Sequence, residues 1–187
     1  LDTIPEGEIF AFLEKRRGIL TGVCITGGEP LLNTDIADFI RRVRSLGYAV
    51  KLDTNGNHPA LLARLLDEGL VDYVAMDIKH APQRYALAIG TEQIDMDAVT
   101  ESKDLLLHGK GPDYEFRTTV VQGIHTPDDM VELAKWIAGA KRYFLQQFRD
   151  SGQLLRGEGL SPFSPDDMRT IAQAVAPYVP SVQLRGI

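Results

Sequence analysis

Helix-patterned and strand-patterned segments alternate almost from one end of the chain to the other, and this alternation restricts the fold more than any other feature of the sequence. Residues 5–17 carry Pro5 in a first turn, Glu6 and Glu8 at the positive end of a helix dipole, and Lys15, Arg16 and Arg17 at its negative end before Gly18. Thr34 or Asp35 caps a second helix, in which Ile36, Phe39, Ile40, Val43 and Leu46 recur at helical spacing until Gly47. A third follows His58-Pro59, with Leu61, Leu62, Leu65 and Leu66 before Gly69, and residues 94–108 form a less regular fourth. Thr126-Pro127-Asp128-Asp129 and Ser164-Pro165-Asp166-Asp167 open two more, each with Pro at the first helical position and acids behind it. Between the helices lie β-rich runs: Gly22 to Thr26, Tyr48 to Thr54, Tyr73 to Lys79, Tyr114 to Val121, Tyr143 to Phe148 and Ser181 to Arg185.

Connections of this length between successive strands require parallel pairing through right-handed βαβ units, so the fold class is α/β. Neither a linker, a low-complexity tract nor a short repeat interrupts the pattern, and residues 1–187 read as one domain. The longest expected loop is 149–164, rich in Gly, Ser and Pro, which is either a lid or a slack connection.

Composition removes several functions. The net charge of -6 and pI near 5.2 leave no basic stripe for nucleic acid. No apolar run approaches the ~20 residues of a membrane span, and no signal peptide is present. The single cysteine, Cys24, cannot close an intramolecular disulfide or build a multi-thiolate metal site, and His58, His80, His108 and His125 form no metal motif. A reducing, cytoplasmic setting is therefore expected.

In parallel α/β folds ligands bind at the carboxyl ends of the strands. Here five strands deliver polar groups to that edge: Gly27-Gly28-Glu29-Pro30, Asp53-Thr54-Asn55-Gly56, Asp77-Ile78-Lys79, Arg117-Thr118-Thr119 and Gln146-Gln147-Phe148-Arg149. Strand alternation puts Asp77 and Lys79 on one face with Ala75, and Arg117 with Thr119. Each group also has an ordinary structural reading. Gly27-Gly28 and Asn55-Gly56 are turn signals, Asp77 and Lys79 suit an ion pair, and Arg117 suits pairing with a nearby carboxylate. His108 and His125 read as surface residues, and Cys24, between Val23 and Ile25, reads as a small buried hydrophobe. The coincidence at five strand ends favours a site for a zwitterionic ligand. Gly27 and Gly28 expose backbone, Glu29 can accept from an ammonium group, and Lys79 or Arg117 can hold a carboxylate.

Thr26-Gly27-Gly28-Glu29-Pro30 resembles the GGE motif of the radical S-adenosylmethionine (SAM) superfamily. Leu52-Asp53-Thr54-Asn55-Gly56 and Met76-Asp77-Ile78-Lys79 resemble strand-end motifs of its glycyl-radical activating enzymes. Phe116-Arg117-Thr118-Thr119-Val120-Val121, Leu145-Gln146-Gln147-Phe148 and Gln183-Leu184-Arg185-Gly186 are most similar to anaerobic ribonucleoside-triphosphate reductase activating proteins, with pyruvate formate-lyase activating enzymes as near relatives. The resemblance implies a parallel partial TIM-type barrel, with SAM and a 4Fe-4S cluster as cofactors. It also implies reductive SAM cleavage to a deoxyadenosyl radical, a glycyl-radical enzyme as protein substrate, and an electron donor such as flavodoxin. Gly27, Gly28 and Glu29 would meet the methionyl amine, Lys79 its carboxylate, and Arg117 the cofactor or the substrate peptide. Asp53 and Asn55 would belong to the same cofactor site, while Asp53, Thr54 and Asp77 match positions that hold a monovalent cation.

One departure is plain. The family ligates its cluster through C-x3-C-x2-C on a loop after the first barrel strand, and this sequence contains neither that loop nor that strand. Together with Leu1 in place of an initiating Met, this reads as an amino-terminal truncation or omitted segment, and the chain alone is expected to be inactive, with an uncovered edge on its first strand. Two rivals are an aldolase-like barrel with Lys79 as Schiff-base lysine and a cluster-free binding protein.

Overall fold

The computed structural model describes residues 3–91, 93–150 and 159–187. Six parallel strands form one sheet in the order β1-β2-β3-β4-β5-β6: β1 (Gly22–Ile25), β2 (Ala49–Thr54), β3 (Tyr73–Asp77), β4 (Asp113–Val120), β5 (Tyr143–Gln147) and β6 (Val182–Arg185). Because the order never reverses, right-handed crossovers place their helices on the same side, and the other face becomes concave. The result is an open α/β partial barrel.

The helices are α1 (Glu6–Lys15), α2 (Ile36–Ser45), α3 (Pro59–Asp67), α4 (Tyr85–Ile89), α5 (Met96–His108), α6 (Pro127–Trp136) and α7 (Pro165–Val175). The short α4 and the 3-10 turns Pro30–Leu32 and Pro82–Arg84 are additions to the sequence reading. Proline at their first positions and apolar residues too few for a periodic pattern account for both turns. Thr126 forms the expected capping box with Asp129, and the Ser164 hydroxyl accepts the Asp167 amide.

Alternation along the strands divides the sheet chemically. Val50, Leu52, Val74, Met76, Phe116 and Leu145 are buried in the core with Ile40, Leu62, Leu65, Met130 and Leu133 of the helices. Lys51, Asp53, Tyr73, Asp77, Glu115 and Arg117 sit at the intervening positions, and the registers Lys51↔Tyr73, Asp53↔Ala75, Ala75↔Glu115 and Asp77↔Arg117 align them across the concave face. Glu115 is nearly inaccessible there, yet Arg185 donates to its two oxygens at 2.8 and 2.9 Å, and the Tyr73 hydroxyl adds a bond at 2.9 Å. Burial alone would raise the Glu115 pKa, but these bonds outweigh it and hold the carboxyl below its ordinary value.

Two expectations are corrected. Cys24 is exposed, because at this position of the four-residue edge strand its side chain takes the polar concave side, beside Lys51 in the register, and not the helix-packed side. His125 is buried, because the turn Val121–His125 folds it inward under the β3 end. His108, by contrast, is on the surface as expected. Of the 149–164 loop, residues 151–158 lie outside the described residues.

Candidate functional site

At the carboxyl edge, Thr26, Gly27, Gly28, Asp53, Thr54, Asn55, Asp77, Lys79 and Arg117 enclose a cavity of about 170 Å³. A chain of charges forms its floor. Lys51 Nζ lies 2.9 Å from Asp53 Oδ1, and Arg117 Nη1 donates to Asp53 Oδ2 at 3.1 Å. Arg117 Nε donates to Asp77 Oδ1 at 2.9 Å, and Lys79 Nζ to Asp77 Oδ2 at 2.8 Å. The Lys51 contact is one of charge without hydrogen-bond alignment, so the buried Asp53 Oδ1 has no directed donor. Burial works against ionisation of Asp53, but Lys51 and Arg117 overcome it and keep the carboxyl below its usual value. Burial likewise opposes the Arg117 charge, and Asp77 and Asp53 raise its pKa in spite of it. Around the cavity two cations, Lys79 and Arg117, balance two carboxylates, Asp53 and Asp77, and Lys79, the most exposed of the four at 39%, is the one able to turn to a ligand carboxylate.

The wall opposite is backbone. Gly27 has φ 134°, a conformation that favours glycine, and a Cβ at Gly27 or Gly28 would meet nothing within 4 Å, so both present main-chain atoms to open space.

Glu29 takes a place behind this wall. It is only 8% exposed and does not line the cavity. Its Oε1 accepts the Leu31 amide at 3.1 Å and the Thr54 hydroxyl at 2.9 Å, and its Oε2 accepts the Asn55 amide at 2.6 Å. Three donors leave about one of a carboxylate's four acceptor positions for anything else. Asn55 is used locally as well, its Oδ1 accepting the Asn57 amide at 2.9 Å in an Asx turn.

The structure thus gathers Gly27, Gly28, Asp53, Thr54, Asn55, Asp77, Lys79 and Arg117 around one cavity and sets Glu29 behind them as their brace. The ordinary readings of Asp77, Lys79 and Arg117 as ion-pair partners are realised inside the site. Sequence reasoning missed Lys51, although two-residue alternation from Asp53 points to it. It also missed the contact of His125 with the Lys79 carbonyl, for which no local pattern exists. A larger depression of about 600 Å³, lined by Leu31, Leu32, His58, Leu61, Asp97 and Glu101, lies on the helix side of the same loops. It lacks convergent cations and glycine backbone, so the smaller cavity is the candidate site on chemical grounds.

A singly wound parallel α/β sheet with a charged cavity at its strand ends defines a small-ligand site of the barrel kind. Residues 4–137 match the Radical SAM superfamily model, and the chain belongs to that superfamily. It is 27% identical over 169 residues to a Methanocaldococcus jannaschii protein named as a glycyl-radical enzyme activating enzyme, covering 88% of this chain and 70% of that one. It also resembles a solved domain of a pyruvate-formate lyase-activating enzyme from Bacteroides vulgatus, with TM-score 0.69, 18% identity, and 89% and 99% of the two chains covered. The structure of Streptococcus suis SuiB bound to S-adenosylmethionine matches with TM-score 0.74 and 12% identity, over all of this chain and 44% of that one. These two likenesses are of fold.

The cofactors of the superfamily are SAM and a 4Fe-4S cluster. The cavity, with its exposed glycine backbone and the part-exposed Lys79 ammonium, fits the zwitterionic methionyl group. The cluster is different: these 187 residues hold one cysteine, and no group of three or more metal-binding side chains occurs among the described residues. One thiolate does not fit a cluster held by three.

Proposed function

We propose that the chain is the SAM-binding barrel of a glycyl-radical activating enzyme, and that its partner is an anaerobic ribonucleoside-triphosphate reductase. One observation carries the reading: the linked charges Asp53, Arg117, Asp77 and Lys79 share a single cavity with the backbone of Gly27 and Gly28. Lys79, with its side chain 39% exposed, moves from Asp77 to the methionyl carboxylate, and Arg117 stays between its two carboxylates. Main-chain carbonyls of the glycine turn accept from the amine, while Glu29 holds that turn against β2. Fixing both ends of the amino acid sets the position of the sulfonium beyond it. SAM supplies a carbon–sulfur bond that is cleaved reductively; that chemistry is the cofactor's, and the protein orients it. A flavodoxin-type donor would deliver the electron.

The 27% identical relative with the activating-enzyme name supports this class, and the motifs through Phe116–Val121 and Gln183–Gly186 support the reductase as partner over pyruvate formate-lyase. Schiff-base chemistry is disfavoured, since a Schiff-base lysine is set in an apolar pocket or beside another cation, whereas Lys79 Nζ is part-exposed with the Asp77 carboxylate 2.8 Å away. The test is electron paramagnetic resonance after incubating the reconstituted full-length protein, SAM and reductant with each candidate partner. A glycyl-radical signal with the reductase alone is expected; a signal only with pyruvate formate-lyase, or none with either, would refute the reading.

A further inference from the structure

Lys79 lies two residues past the end of β3 at Asp77, where no strand ladder holds the chain. Its neighbourhood is nevertheless tied down on both sides. The Ile78 amide donates to the Arg117 carbonyl at 2.8 Å, and the Thr118 hydroxyl donates to the Ile78 carbonyl at 2.6 Å. The next carbonyl, that of Lys79 itself, meets His125 Nε2 at 2.9 Å, across 46 residues of sequence.

The His125 ring has its proton placed by its surroundings. The Val121 amide donates to Nδ1 at 3.1 Å, so Nδ1 is the acceptor and Nε2 carries the hydrogen that Lys79 accepts. Only 5% of the residue is exposed, and the His80 ring stacks on it with centroids 5.0 Å apart and planes 12° from parallel. The turn beneath it is equally constrained. The His125 amide returns to the Val121 carbonyl at 2.9 Å, and Gly123, at φ 99°, sits where a Cβ would be 2.4 Å from the Gly159 carbonyl oxygen. A second line joins the same two loops: Asp129, of the capping box next to His125, accepts from Arg84 Nη1 at 2.8 and 2.7 Å.

We propose that His125 is a positioning residue for Lys79. Its Nε2 hydrogen bond sets the Lys79 main chain at the height from which the ammonium reaches the ligand's carboxylate, and the Nδ1 bond to Val121 keeps the ring in the donating tautomer. This rests on the assignment of Lys79 to the methionyl carboxylate. A flexible lysine stem can reach many positions, so holding its root narrows the set that includes the ligand and lowers the entropy lost on binding.

Two substitutions separate the ring's two bonds. In His125→Asn the side-chain oxygen replaces Nδ1 and keeps Val121 while the donor to Lys79 is lost; in His125→Gln the amide nitrogen replaces Nε2 and keeps Lys79. SAM is titrated calorimetrically into the reconstituted full-length protein for both variants, for Lys79→Met, and for Lys79→Met/His125→Asn, with thermal melting as the check on folding. His125→Asn is expected to weaken binding roughly tenfold, the scale of one net hydrogen bond, while His125→Gln stays within about threefold of wild type. In the Lys79→Met background, His125→Asn should add less than about twofold, because the residue it acts through is gone. Equal losses in Asn and Gln, or a loss that persists without Lys79, would show a purely structural role and overturn the proposal. Wild-type affinity in His125→Asn beside weakened Lys79→Met overturns the positioning role alone, and wild-type affinity in Lys79→Met overturns the carboxylate assignment beneath it. Long-range proton–nitrogen spectra of the protein without SAM should give the Nε2–H tautomer at His125; an Nδ1–H ring would overturn the proposal independently.

Discussion

The Glu29 carboxylate accepts the Thr54 hydroxyl at 2.9 Å across 25 residues of sequence, and the same hydroxyl accepts the Gly56 amide at 3.1 Å. One buried acid and one buried hydroxyl therefore join the loop after β1 to the loop after β2. Glu29→Gln puts an amide among three donors that all need an acceptor, and Thr54→Val removes both of its bonds. Each should destabilise the protein by about 1–3 kcal/mol and lower the melting temperature by about 2–4 °C per kcal/mol. Calorimetric melting checks this, and wild-type stability in both would show that the brace carries no load.

The sheet was legible in the sequence because parallel strands buried against helices leave long apolar runs closed by turn residues. The cavity was legible for a related reason: a strand end is where an alternating pattern stops, so Asp53, Asp77 and Arg117 announce themselves. The internal bonds of Glu29 were not legible, since nothing local distinguishes an acid that meets a ligand from one that accepts two amides and a hydroxyl of its own protein. Cys24 and His125 were misread in opposite senses. Exposure depends on which face of an edge strand is covered, and burial of a turn residue depends on partners 46 positions away.

Arg117 reaches Asp53 with Nη1 and Asp77 with Nε, a two-pronged bridge that an ammonium cannot reproduce. Its side chain is 14% exposed, as against 15% and 29% for the two acids, so salt screens these pairs weakly. Arg117→Met should cost roughly 2–3 kcal/mol, and Arg117→Lys should recover less than half of that. Urea unfolding at low and high NaCl checks both statements; a loss that disappears in 1 M salt would place the bridge among ordinary surface pairs.

Acid should weaken the fold in two stages. Burial depresses the pKa of both His80, with His125 adding to it, and His125, where the bond to the Lys79 carbonyl opposes it. The unfolded chain therefore takes up these protons first, so stability is full above about pH 6.5 and falls as pH drops through that value. Asp53 and Glu115, held below their ordinary values by their cationic partners, contribute stability that is present above about pH 4 and is lost below it. His80 is fully buried, with neither ring nitrogen well hydrogen-bonded. His80→Phe should therefore keep the stack, stabilise by about 1 kcal/mol at neutral pH and flatten the first stage. Urea midpoints from pH 8 to pH 3 show whether the two stages exist.

Cys24 should react with a disulfide reagent in the native protein, one equivalent per chain, but more slowly than a free thiol at the same pH. Partial burial first, and the neighbouring Asp53 carboxylate second, raise its pKa and reduce its thiolate fraction. Asp53→Asn should speed the reaction. Labelling that requires denaturant, or a rate unaffected by the substitution, would contradict this placement.

The same thiol bears on the cluster. A 4Fe-4S cluster of this family is held by three thiolates, and the 187 residues supply only Cys24, whose thiolate is disfavoured and which stands on β1 and not on a three-cysteine loop. Iron delivered anaerobically to the 187-residue chain should consequently fail to assemble a stoichiometric cluster, while a protein carrying a three-cysteine loop ahead of α1 should assemble one. SAM should still bind the chain, because Lys79, Arg117 and the Gly27–Gly28 backbone are all in place, but roughly ten- to a hundredfold more weakly than in the cluster-loaded protein, as expected when charge-assisted contacts at one end of a ligand are lost. Iron analysis, visible absorption and calorimetry on the two proteins measure both effects, and near-stoichiometric iron and sulfide in the 187-residue chain would mean that the cluster is held by groups other than three thiolates.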